Sequence, residues 1–265
     1  MTTLPQVSVL IRTRDRKDLL TETLASVKAQ TWPALEVIIV NDGGEDFSSH
    51  VVSAESPVVR WINNSGDHGR SHAANLALAQ ATGQYCLFLD DDDLIDPGHI
   101  ETLVRALTDQ QEYRLAYSAI RTMTSGVEET EPSFAHPYDP VRLMIENFIP
   151  IHAVLFERCL LDEGFRFDPA FDRFEDWDFW LQIAQTHSFL YVDQCTGIYR
   201  VNPTSGFGAK DGTGEDIDTH RLALYRKWLG RWSPEQLLSL FDRGREYPRI
   251  QVLENTVTGL NNDIS

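Results

Sequence analysis

One alternation limits the folds open to this chain. Four short, mainly apolar runs, the β-branched Val7–Ile11 (VSVLI), then Leu35–Val40 (LEVIIV), Val58–Ile62 (VVRWI) and Tyr85–Leu89 (YCLFL), are separated by helical patterns. Leu19, Leu20, Leu24 and Val27 recur at helical spacing, Ser71–Ala81 is rich in Ala and Leu and stops at Gly83, and Pro97 opens a helix carrying Ile100, Leu103, Val104 and Leu107. Strands that alternate with helices bury their backbones most readily in a mainly parallel sheet covered by helices on both faces. The expectation is therefore an α/β, Rossmann-like fold. The second half is less regular. Arg114–Ser118, Ala153–Phe156, Phe189–Val192 and Gly197–Val201 read as strands, and Glu175–His187, Ile217–Trp232 and Pro234–Tyr247 as helices. No linker composition divides the chain, so a single domain over 1–265 is expected, with parts 1–110, 111–201 and 202–265.

Ligands of open parallel sheets bind beyond the carboxyl ends of the strands. After the first run come Arg12, Thr13, Arg14, Asp15 and Arg16, and after the second Asn41, Asp42, Gly43 and Gly44. The third is followed by Asn63, Asn64, Ser65, Gly66, Asp67 and His68, with Gly69 and Arg70 next, and the fourth by Asp90, Asp91, Asp92 and Asp93. Each segment alone is a plain turn. Four polar ends on one rim make a ligand crevice. Adjacent carboxylates repel unless neutralised, and Mg2+ or Mn2+ held by one or two of them, with ligand phosphates and waters, removes that repulsion.

The formal charge of −17 argues against a nucleic-acid partner and against docking on an anionic membrane surface, because both want clustered Lys and Arg. It leaves a phosphorylated ligand open, since a divalent cation bridges carboxylate and phosphate. Three cysteines, Cys86, Cys159 and Cys195, form neither a disulfide framework nor a CxxC site and are expected to pack in the core. The N-terminus lacks a signal-peptide core and no window suits a transmembrane helix, so a cytoplasmic location is expected. The chain has no GxGxxG after the first strand, no GxxxxGK[ST], no GxSxG and no HExxH, which excludes the sites those motifs build.

The segments VSVLIRTRDR, AQTW, LEVIIVNDGGED and GRSHAANLALAQATGQYCLFLDDDDLIDP, with FEDWDFWLQIA later, resemble the family-2 glycosyltransferases over roughly residues 5–200. The resemblance implies the GT-A fold: a nucleotide-binding half, an abutting acceptor-side lobe and, beyond it, C-terminal helices. It implies a metal-dependent, inverting transfer of a sugar from a nucleoside diphosphate sugar to an acceptor hydroxyl, with Mn2+ or Mg2+ as cofactor. The acceptor class stays open among saccharide, lipid-linked and small-molecule hydroxyls. Alternative readings are a catalytically silent nucleotide or sugar binder, a nucleotidyltransferase, and a phosphatase whose DxDx[TV] motif the acidic run imitates.

Carried over position by position, Asp42 matches the family's acid that accepts a hydrogen bond from the base. A carboxylate suits the N3–H of uracil and equally thymine N3–H or guanine N1–H, so this contact alone does not choose the nucleotide, and a UDP-sugar is the favoured donor. Thr13 and Arg14 line base and ribose, and Arg70 reaches base or phosphate. Asp90, Asp91 and Asp92 match the DxD motif, with Asp92 on the metal and Asp90 and Asp91 nearer the ribose. Asp176 matches the catalytic base. Its other reading is that Glu175, Asp176 and Asp178 only complement a helix N-terminus. Trp177 and Trp180 suit either the core or a sugar ring. Arg200 is placed near the diphosphate, and His152 near phosphate or acceptor unless it is structural. Asn202–Asp216, with four glycines in fifteen residues, reads as a lid. Two departures stand out: Arg12 replaces the family's usual Pro, and Asn41-Asp42 its usual acid pair. The QxxRW motif of processive members is absent, which implies one sugar per encounter.

Overall fold

The computed structural model describes residues 4–52, 57–66, 68–201 and 217–245. Its first half runs β1 (Val7–Thr13), α1 (Lys17–Lys28), β2 (Leu35–Asp42), the short α2 (Ser48–Val51), β3 (Val58–Asn64), α3 (Arg70–Gln80), β4 (Tyr85–Phe88), β5 (Leu94–Ile95) and α4 (His99–Asp109). The second half holds β6 (Leu115–Thr124), β7 (Val127–Glu128), α5 (Pro140–Ile145), β8 (Val154–Glu157), α6 (Glu175–Ile183), β9 (Leu190–Val201) and α7 (Ile217–Trp228). A further helical run covers 234–245.

The strands form one sheet in the order β3-β2-β1-β4-β8-β6-β9-β5, with β7 on β6. The first four are parallel, so their carboxyl ends share one rim. β8 then runs antiparallel between β4 and β6, and β9 pairs parallel with β6 and antiparallel with β5. The sheet is therefore mixed beyond β4. The two strand signals at Phe189–Val192 and Gly197–Val201 are one strand, β9, whose register against β6 shifts on either side of Ala119. The helix expected over Glu175–His187 stops at Ile183, and that expected over Ile217–Trp232 stops at Trp228.

Period-two alternation sorts β1 between two cores. Val7, Val9 and Ile11 face α1 (Leu20, Leu24, Val27) and α4 (Ile100, Leu103, Val104). Leu10 faces α3 (Ala73, Ala74, Ala77) and α6 (Trp177, Phe179, Trp180). The small alanines of α3 let the helix lie close on β1 and β2. Trp177 and Trp180 are both buried, and their indole N–H groups donate to Leu143 O (2.6 Å) and Ile149 O (3.1 Å). Their core reading is the one the structure supports. Of the cysteines, Cys86 is buried and Cys159 half-buried, but Cys195 is exposed on β9, where the strand is irregular, and does not pack in the core.

Asp178, on the first turn of α6, is fully buried and ties down the C-terminal helix. It accepts from Trp228 Nε1 (2.9 Å), Lys227 Nζ (2.8 Å) and Gln182 Nε2 (2.8 Å). Lys227 also reaches Asp168 at 2.7 Å. Among the described residues, no helix is long and apolar enough to cross a membrane. The lid expectation for Asn202–Asp216 lies outside the described residues.

Candidate active site

The shared carboxyl rim opens into a cavity of about 370 Å3 lined by Thr13, Arg14, Asp42, Arg70, Asp90, Asp91 and Asp92, together with Arg12, Arg16, Gly69 and Asp172. β2 and β4 flank β1, so Asp42 and Asp90 stand two strand spacings apart, about 10 Å. The backbone of α3 enters beside Asp42. Asn64 Nδ2 donates to Asp42 Oδ1 (2.7 Å), and the Gly69 N–H, just before α3, donates to Oδ2 (3.1 Å). Gly69 has φ +87°, and a Cβ there would collide with Asp172 Oδ1, so glycine is required on both counts.

The acidic loop is fastened from β1 and α1. Thr13 Oγ1 donates to Asp91 Oδ2 (2.7 Å), and Arg16 Nη1 donates to Asp91 Oδ1 (3.1 Å) and Asp92 Oδ2 (2.9 Å). Thr23, buried on α1, donates to the carbonyls of Asp91 (3.0 Å) and Asp93 (2.9 Å). Thr13 thus reaches the cavity with its hydroxyl already committed to Asp91.

Behind the loop, the Arg200 backbone N–H donates to Asp93 Oδ1 (2.8 Å), and His152 Nδ1 lies 3.0 Å from Asp93 Oδ2. His152 is fully buried against Tyr199, a structural setting. Arg200 does not line the cavity. Its guanidinium pairs with Glu22 on α1.

The four acids are electrostatically unequal. Burial raises the Asp90 carboxyl, but Arg12 and Arg70 outweigh that and hold it at about 2. Burial pushes Asp91 up, against the hydrogen bond from Thr13. Burial and the charges of Asp93, Asp90 and Asp91 push Asp92 up to about 7. One carboxylate oxygen from each of Asp90, Asp92 and Asp93 lies within 4.8 Å of the others. Arg16 lowers the Asp92 carboxyl only in part against its three acidic neighbours, and clustered hard oxygen donors of this kind fit a divalent cation.

Asp176 sits at the start of α6. Asn147 Nδ2 donates to its Oδ2 (2.8 Å), and the Trp177 N–H donates to Oδ1 (2.8 Å). Burial, then the adjacent Glu175, pushes its carboxyl up to about 7. Its neighbour Glu175 is buried and turns the other way, toward Arg12.

Sequence reasoning brought together Thr13, Arg14, Asp42, Arg70 and Asp90–Asp92. It missed Arg16, Asn147, Asp172 and the pairing of Arg12 with Glu175. A legible signal existed for Arg12: period two puts it on the same face of β1 as Leu10, so its charge had to meet partners in the α3–α6 core.

Comparison with known proteins agrees with this geometry. An uncharacterized glycosyltransferase of Bacillus subtilis, YwdF, is 26% identical over 215 residues, covering 77% of this chain and 80% of that protein. An uncharacterized glycosyltransferase of Haemophilus influenzae is 31% identical over 245 residues, covering 85% and 76%. The S. aureus TarS 1-349 structure in complex with UDP-GlcNAc superposes with a TM-score of 0.61 at 20% identity, over 77% of this chain and 60% of that one, and shows a shared GT-A type fold. The family model for glycosyl transferase family 2 matches residues 8–154, more than half of the 265, so this chain belongs to glycosyl transferase family 2 and is a glycosyltransferase.

Proposed function

We propose that this glycosyltransferase moves a sugar from a nucleoside diphosphate sugar, UDP being the favoured nucleotide, to an acceptor hydroxyl with inversion and one sugar per encounter. The observation that supports this is one cavity holding a base-recognising acid, Asp42, and the Asp90–Asp92 loop on opposite sides of β1. The solved neighbour bound to UDP-GlcNAc supports the same class of donor.

In this reading Asp42 accepts the base N–H. Its two oxygens are oriented by Asn64 and Gly69, and a carboxylate keeps lone pairs beyond those two bonds. Arg14 lines base and ribose, Thr13 holds Asp91 beside them, and Asp90 lies toward the ribose. Arg70, half-exposed in the cavity wall, is the cation for the phosphates. Asp92, with Asp90 and Asp93 near, would hold Mn2+ or Mg2+, and the bound ion would supply Lewis-acid stabilisation of the departing diphosphate. Arg200 serves through its backbone bond to Asp93 rather than through its guanidinium.

Asp176 takes the proton of the attacking hydroxyl. A carboxylate with an ordinary pKa near 3.8 is a weak base at neutral pH, and one pushed up to about 7 is well matched to the task. Asn147 and the Trp177 N–H fix its orientation. The organisation that goes with this is one domain, with a donor half over 1–110, an acceptor half over 111–201 and C-terminal helices beyond.

The test is calorimetric titration of UDP, GDP and dTDP, each with and without Mn2+, on the wild type and Asp92→Ala. Metal-dependent binding of UDP that Asp92→Ala loses is the expected result. Absence of binding by all three nucleotides, with and without metal, would overturn the donor reading.

A further inference from the structure

Arg12 is the residue at which this chain departs from its family's usual Pro, and nothing in the donor or base assignments uses it. It ends β1, is 8% exposed, and is satisfied on both sides. Nη2 donates to Asp90 Oδ1 at 2.7 Å, and Nη1 donates to Glu175 Oε1 at 2.9 Å. Its guanidinium carbon lies 6.0 Å from the centre of the Phe88 ring, which borders it from β4. One planar fork therefore joins the first acid of the donor loop to the residue preceding Asp176, which lies 163 positions beyond Arg12 in sequence. Arg70 stands 3.9 Å from the same Glu175 oxygen as a looser second cation.

The start of α6 carries further marks of being held in place. Phe174, just before Glu175, has φ 61° and ψ 22°, left-handed backbone that is sterically unfavourable for a non-glycine residue. Such a conformation persists only where the surroundings over-determine it. Phe174 packs edge-on against Trp177 on one side of the turn. Glu175, clamped by Arg12, secures the other. The left-handed turn lets two consecutive carboxylates diverge, Glu175 toward the donor half and Asp176 toward Asn147.

We propose that Arg12 is a positioning residue, a two-ended strut that, with Glu175, sets where Asp176 stands relative to the Asp90 loop. This rests on the reading of Asp176 as the base and of the Asp90 loop as the donor site. Both ends are needed. Lysine at this position carries the charge but offers a point donor instead of a fork, and proline makes neither bond. A misplacement of about 1 Å costs on the order of 100-fold in rate without requiring a change in donor affinity.

The experiment uses Arg12→Lys, Glu175→Gln and the double variant. UDP affinity in Mn2+ is measured by calorimetry, and kcat and KM by release of UDP from UDP-glucose and UDP-N-acetylglucosamine in water. Hydrogen exchange over 174–183 is followed in the free protein. The expected result is a kcat lower by roughly 10- to 100-fold in each single variant, with UDP affinity and KM within about threefold of wild type. The double variant falls no further than the worse single one, because the two residues act as a unit. Exchange over 174–183 quickens to the same degree in both single variants.

Unchanged kcat with unchanged exchange would overturn the strut. So would UDP affinity falling more than about tenfold in Arg12→Lys but not in Glu175→Gln, which would make Arg12 a donor contact. If the wild type binds no nucleotide and releases no UDP, the donor reading fails by itself. Exchange over 174–183 in the free variants then decides the strut, quickened exchange supporting it and unaltered exchange overturning it.

Discussion

At the residue scale, the proposed mechanism rests on two carboxyl groups, Asp92 and Asp176, and both are pushed above their ordinary value. Asp176 is pushed up to about 7, chiefly by burial, so it must lose its proton before it can act as a base. Transfer should therefore fall as pH drops below about 7 and level off above it, which a pH–rate profile at saturating donor reads directly. Asp176→Asn should lower kcat by about 100- to 10,000-fold while leaving UDP affinity in Mn2+ unchanged. A variant that lost affinity instead would mark Asp176 as a donor ligand. Asp90 shows the opposite balance, with Arg12 and Arg70 holding it ionised at every working pH. Similar side chains in one short loop thus differ in charge state because their neighbours differ.

At the scale of elements, α6 is the junction. Glu175 reaches the donor half, Asp176 faces Asn147, and Asp178 grips α7 through Lys227 and Trp228. Asp178→Ala leaves the buried Trp228 indole N–H without its acceptor and Lys227 with Asp168 alone, and should cost about 1–3 kcal/mol in urea unfolding. The bland reading of these acids, that they complement a helix N-terminus, predicts a loss nearer 0.5 kcal/mol, or about that. Gly69→Ala meets both a left-handed backbone and Asp172. Because the Gly69 N–H orients Asp42, UDP affinity should fall at least about tenfold with little change in kcat for donor that does bind, measured by calorimetry and turnover.

Most of the parallel half was legible because β1, β2 and β4 are buried on both faces and read as near-continuous apolar runs, whereas β3 lies at the sheet edge and is partly exposed. Val7–Ile11 and Leu35–Val40 each extend only two residues further, into Thr13 and Asp42, where ladder pairing continues after the apolar signal has stopped. β5 and β7 are two residues each, too short to carry a period. Asp193-Gln194 broke β9 into two signals, although the strand itself continues past them. The rim acids were legible from their place after strands. The Arg12–Glu175 pair was not, because a long-range ion pair leaves no local pattern in either segment.

At the scale of the whole molecule, stability should depend on pH in two separate windows. Asp92 and Asp176 are raised above the ordinary 3.8, so between about 4 and 7 the folded chain binds more protons than the unfolded one. Stability then falls as pH rises through that window and is flat above it. Asp90 is depressed, so its contribution is complete above about 3.8 and is lost as pH falls toward 2. A divalent cation on Asp92 favours the ionised form. Mn2+ should accordingly raise Tm more at pH 8 than at pH 5.5, and equal shifts at the two pH values would count against Asp92 as its ligand.

The span of the strut has a consequence for how the protein is made. Chains emerge from the ribosome N-terminus first, and Arg12 leaves the exit tunnel 163 residues ahead of Glu175. The strands β1 and β2 have all their strand partners within the first 88 residues and are free to assemble early, while β4 still waits for β8 on its other edge. For that interval Asp90 is the one acid of the strut available to Arg12, and the guanidinium holds half of its final bonds. A nascent chain stalled before α6 would present the Asp42 and Asp90 rim without Asp176, so under the proposed roles the order of synthesis delivers nucleotide recognition before catalytic competence.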